Sequence, residues 1–158
     1  MQRAMVAKIN DDRIKGLDYW RKLSFLKLYS QERRRERYQI ILIWKICQGL
    51  VCGYNMEFTS CLTRTGRKAI PTTIRNSTSA AVRNARASSL AVKGAQIFNL
   101  MPLNLRNGNH GDLPMFKNHL DIYLANIPDQ PTVQGLVRCA GSNSLLDQVP
   151  LYEINATF

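Results

Sequence analysis

Histidine is scarce and closely paired cysteine is missing. The chain has two histidines, His110 and His119, and four cysteines at 47, 52, 61 and 139, none of them in a Cys-x-x-Cys pair. Structural zinc ligands normally arrive in closely spaced pairs, so no zinc site is expected. The thiols are expected to be buried or inert, as suits a reducing compartment. Acidic residues are also few: 11 Asp+Glu stand against 22 Lys+Arg in 158 residues, a formal net charge of +11. Such a surface attracts polyanions, nucleic acid or anionic lipid, and charge alone does not choose between them. Long apolar runs are missing too. The most hydrophobic stretch, Tyr38 to Cys52, is interrupted by Lys45 and Gln48 and is too short to cross a bilayer. At the start, Arg3, Lys8 and Asp11-Asp12 break any secretory h-region. The expectation is an intracellular protein, nuclear or cytoplasmic, not secreted and with no membrane partner.

What remains is ordinary globular material: 45% of residues are hydrophobic, enough to build a core and to exclude a disordered chain. The charge is uneven. Residues 1–70 carry 15 Lys+Arg and 6 Asp+Glu, residues 71–158 carry 7 and 5, so the basic part comes first.

Asp18 is a candidate N-cap for a short helix with Tyr19, Leu23 and Leu26 at helical spacing. Ser30 offers a second cap, Glu32 sits in the first turn near the positive helix end, and helix formers continue to Gln48, where Gly49 supplies a stop. Residues 40–47 leave almost no polar face, which predicts a central strut covered on every side. From Gly53 to Ser79 the helical signal disappears. Tyr54, Met56 and Phe58 alternate with polar neighbours and Ile70-Pro71-Thr72-Thr73-Ile74 reads as extended, so a small ribbon or irregular arm is expected. Residues 76–89 read as loop. Helical spacing returns with Ala91, Ala95 and Phe98 and is closed by Pro102, which opens the next turn to Asn107. Phe116, Leu120, Tyr123 and Leu124 mark an amphipathic helix that stops before Pro128. Beyond Pro131 no period is visible and a loosely held tail is expected.

The fold class is therefore mainly α, a small helical domain with an irregular or weakly β middle segment. Its divisions are a basic helical segment at 1–52, a linker at 53–89, a helical segment at 90–131 and a loosely ordered tail at 132–158.

Catalytic constellations are poor. The Asp11-Asp12 pair has no third carboxylate and reads as a polar turn rather than a metal site. His119 has only Asp121 nearby, on another side of its helix. No Ser/His/Asp order, phosphate-cradling glycine loop or metal-spaced His/Glu motif is present. No catalytic residue, metal or cofactor is expected.

The densest charge cluster is Arg33, Arg34, Arg35 and Arg37. On a helix, Arg33, Arg34 and Arg37 share a side and could lie along a phosphate backbone, with Lys22 and Lys27 extending the same field. The other reading is a solvated helix face whose i, i+3 pairs contribute little. Tyr19, Trp20, Trp44 and Phe98 sit on apolar stripes and are expected in the core. Exposed beside the arginines, the first two and Phe98 could instead stack on unpaired bases.

The order of phrases along the chain adds a resemblance. Gln2-Arg3-Ala4-Met5, Leu17-Asp18-Tyr19-Trp20-Arg21-Lys22-Leu23, Leu28-Tyr29-Ser30-Gln31-Glu32-Arg33-Arg34-Arg35 and Ile43-Trp44-Lys45-Ile46 come first. Gly66-Arg67 with Ile70-Pro71, Val92-Lys93-Gly94-Ala95 with Phe98-Asn99-Leu100-Met101-Pro102, Phe116-Lys117 with Leu120-Asp121, and Ile127-Pro128-Asp129-Gln130-Pro131 follow. Together, from about Gln2 to Pro131, they resemble the region after the polymerase core of non-LTR retrotransposon reverse transcriptases of the LINE and jockey type.

The resemblance implies an RNA-directed DNA polymerase parent whose aromatic-Ala-Asp-Asp metal-binding turn lies upstream and has no match here. A truncated, non-catalytic C-terminal fragment is expected. Its partners would be RNA or DNA backbone, gripped by Arg33, Arg34, Arg37, Lys22 and Lys27, and the missing finger-palm core. The competing expectation is a structural or protein-interaction helical module with no nucleic-acid role.

Overall fold

The computed structural model describes residues 2–9, 11–51, 60–63, 66–69, 79–107, 112–131 and 143–156. Among them the protein is mainly helical. The elements are α1 (Gln2–Ala7), a 3-10 turn (Asp12–Ile14), α2 (Tyr19–Phe25), α3 (Gln31–Cys47), strands β1 (Ser60–Thr63) and β2 (Gly66–Ala69), α4 (Ala80–Ala87), a π-helical turn (Leu90–Gly94), α5 (Ala95–Leu100), α6 (Leu103–Asn107), α7 (Leu113–Ala125) and α8 (Leu145–Ala156). They form two compact units: Met1–Arg35 with Ile127–Phe158, and Glu36–Asn126.

In the first unit local chemistry sets each helix end. The Asp18 carboxylate accepts the Arg21 N–H and starts α2, as the sequence indicates. The chain leaves α2 with Leu28 N–H donating to the Leu23 carbonyl and Lys27 N–H to that of Ser24, the double bond of a Schellman end. That geometry places Lys27 at φ 52°, where a Cβ is strained. Lys27→Gly is therefore expected to raise stability by about 0.5–1 kcal/mol in urea unfolding. The unit's core is Val6, Ile14, Leu23, Ile127, Leu145 and Val149, all buried.

The expected loose tail needs correction for residues 145–156, which form α8. The Ser144 carbonyl receives the Gln148 N–H, and Gln148 Nε2 donates to the Gln130 carbonyl at 3.1 Å. Leu145 and Val149, one helical turn apart, supply the buried stripe. Pro150 lies inside this helix and lacks the N–H an interior position normally uses.

In the second unit α3 ends at Gly49 (φ 70°), with Leu50 N–H donating to the Lys45 carbonyl and Gly49 N–H to that of Ile46. Ile40, Ile41, Ile43 and Trp44 are buried. Leu42, Ile46 and Cys47 are only half-buried, so the strut is covered on one broad side rather than all round. The Trp44 indole stacks on Phe116 of α7, centroids 4.5 Å apart and planes within 10°. Phe98 is buried as expected, with Ala95, Ile97 and Met101.

Gly94 has a packing reason. A Cβ there would stand 2.7 Å from Leu90 Cδ1 and 3.1 Å from Ile43 Cδ1, so an added methyl would make those two side-chain ends shift. Asp112 caps α7 by accepting the Met115 N–H, and Pro114 fits its first turn, so this helix begins before the expected Phe116.

Antiparallel β1 and β2 form the weakly stranded middle, pairing Ser60 with Ala69 through Thr63 with Gly66. The ribbon falls between the two stretches read as extended; residues 54–58 and 70–74 lie outside the described residues. Within the stretch read as loop, residues 80–87 instead form α4. All its residues are exposed.

Candidate nucleic-acid interface

The arginine cluster begins at the capped end of α3. Ser30 Oγ accepts the Arg33 N–H at 3.1 Å and the Asn143 Nδ2–H at 2.9 Å, and donates to Asp129 Oδ1 at 2.8 Å. One donor and two lone pairs are thereby saturated. The Asp129 carboxylate also accepts the Ser30 N–H at 2.6 Å and Asn143 Nδ2–H at 2.6 Å.

Arg33 lies wholly inside this network, 0% exposed. Its Nη2 donates to the Pro128 carbonyl at 2.8 Å and its Nε stands 3.8 Å from Asp129 Oδ1. The expectation that Arg33 grips phosphate is corrected: a buried guanidinium already charge-paired inside the protein does not reach a polyanion.

Arg37 is corrected for a related reason. Its Nε and Nη2 donate to the Asp121 carboxylate of α7, at 2.6 and 2.7 Å, in the fork geometry that arginine favours. Glu36, buried on the same helix, pairs with Lys93 at 3.2 Å. Arg33 and Arg37 thus hold the fold, and the presumed shared side of the helix divides. Arg34 and Lys27 are exposed and Lys22 half-buried, so these three keep cationic ends within reach of solvent.

Tyr19 and Trp20 depart from the core reading. Both are half-buried and meet edge to face with centroids 4.9 Å apart. Arg3, not singled out in the sequence, sits 5.0 Å over the Tyr19 ring, a cation–π contact. The only sequence signal for it was its place in the first phrase of the resemblance.

The Tyr19 hydroxyl donates to Gln2 Oε1 at 3.0 Å, and Gln2 Nε2 donates to the Tyr29 carbonyl. Burial raises the Tyr19 phenol above its ordinary pKa, with Arg3 and Arg34 pulling against the rise and Asp129 adding to it. The phenol therefore stays a donor across the neutral range. Arg13 lies 5.5 Å from the centroid of Phe25, a second pairing of cation and aromatic ring in this unit.

Asp11 caps the 3-10 turn. It accepts the Arg13 N–H and hydrogen bonds from Arg13 Nε and Nη2, which hold its carboxyl below the usual range. Among the described residues no group of three His, Cys, Asp or Glu could hold a metal ion, and no helix is long and apolar enough to cross a membrane. Cys47 is half-buried and forms no disulfide with a described residue. His119 is half-buried on α7, where it lines a shallow pocket of about 350 Å³ with Ile122 and Tyr123. His110 lies outside the described residues.

The arrangement suits electrostatic contact with an extended anion, with rings close to the cations. Compared with protein-family models, curated proteins and solved structures, the chain matches none.

Proposed function

We propose that this chain is a non-catalytic, nucleic-acid-associated segment of the kind that follows the polymerase core in non-LTR retrotransposon reverse transcriptases. It contacts the template-primer backbone and works beside a finger-palm core, inside the cell. The observation that carries the reading is the exposure of Arg3, Lys8, Lys15, Arg21, Lys27, Arg34 and Arg35 in one unit, with Lys22 half-exposed among them. Phosphate neutralisation by such side chains gives affinity without base reading. The order of sequence phrases supplies the family context.

A specific observation favours a second reading, a protein-interaction module. Leu103, Met115 and Ile122 on α6 and α7 are 48%, 51% and 58% exposed, and two of the four clustered arginines serve the fold.

Titration with single-stranded RNA and with a primed duplex at 50 and 200 mM salt separates the two readings. The first requires affinity for both that falls by about tenfold or more between those concentrations. Weak binding that ignores salt supports the interaction module. With magnesium and nucleotides, the chain alone is expected to leave a labelled primer unextended.

A further inference from the structure

Two clefts in the first unit share a wall. One, about 270 Å³, is bordered by Tyr19, Trp20, Arg3, Glu32 and Asn143. The other, about 280 Å³, is bordered by Arg3, Lys22 and Tyr19 with apolar Val6 and Leu17. Arg3 and Tyr19 belong to both. The first cleft presents two aromatic side chains; the second brings two cations together. Their chemistry matches the two parts of a nucleotide, a flat ring that stacks and an anion that pairs.

We infer that these joined clefts bind a single unpaired nucleotide, with the base against Trp20 and Tyr19 and its phosphate between Arg3 and Lys22. The inference rests on the nucleic-acid reading and gives it a base-contacting site where that reading needs only backbone contacts. Arg3, already held over Tyr19, is preorganised for the phosphate.

Ligand-observed NMR of AMP, CMP, UMP and adenosine with the whole chain tests it. AMP, CMP and UMP should each show saturable transfer to base protons, with adenosine weaker for want of the phosphate. Lys22→Gln should bring AMP down to the level of adenosine. Trp20→Leu should abolish the transfer, and Trp20→Phe, which keeps a stacking face, should retain it. Absence of saturable transfer from AMP, equal binding of AMP and adenosine, or unchanged transfer in Trp20→Leu overturns the site. Salt-dependent RNA binding that persists without AMP binding removes this inference alone and leaves the backbone reading standing.

Discussion

Replacing Asp129 by alanine is expected to destabilise the first unit by about 3–5 kcal/mol, because it takes the carboxylate from beside a fully buried guanidinium. The carboxylate receives the Ser30 N–H, the Ser30 hydroxyl and the Asn143 amide, and stands beside Arg33 Nε. Alanine removes all four relations at once, and with them the support for the Ser30 cap of α3. Arg33→Met should cost less, about 1–3 kcal/mol, because Asp129 is left with its Ser30 and Asn143 donors and is part-exposed at 20% of its side chain. Urea unfolding of both variants, with hydrogen exchange at amides of residues 1–35 and 127–156, measures the difference. Equal costs would show that the pair acts only as mutual charge neutralisation.

The second large effect is expected in the other unit. Trp44→Ala and Phe116→Ala should each cost about 3–5 kcal/mol, since both rings are buried, at 4% and 1% exposure, and lie face to face. The double variant should cost less than the sum by about 0.5–1.5 kcal/mol, the part belonging to the ring pair itself. Urea midpoints of the three variants give that number. Strict additivity would mean that the two rings fill space independently.

Elements set by neighbours in sequence were legible. Asp18, Ser30 and Gly49 were readable as helix ends because a cap needs only its own turn. The buried stripe of α7 was readable because Phe116, Leu120 and Leu124 repeat at helical spacing. The fate of the arginines was not readable. Arg33 is fixed by Pro128, 95 residues away, and Arg37 by Asp121, 84 residues away. A cluster of one charge looks the same in sequence whether its partners are phosphates or distant carboxylates.

The α8 stripe has a sequence signal, Leu145 and Val149 four apart with Ser144 ahead of them, hidden by Pro150 within the same stretch. The place of Tyr19 is not readable from its own helix, because Gln2 and Arg3 of α1 meet it and only the fold brings α1 there.

The division of the cluster into arginines that hold the fold and cations proposed to meet nucleic acid is tested most directly by one slope. Log affinity for single-stranded RNA against log salt should be measured for the wild type, for Arg33→Met, and for Lys22→Gln, Lys27→Gln and Arg34→Gln combined. All three proteins should first be checked as folded by circular dichroism. Arg33→Met should keep the wild-type slope despite its lower stability, and the triple variant should flatten it by about 2. A triple variant with the wild-type slope, or a folded Arg33→Met protein with a flattened one, would contradict the assignment.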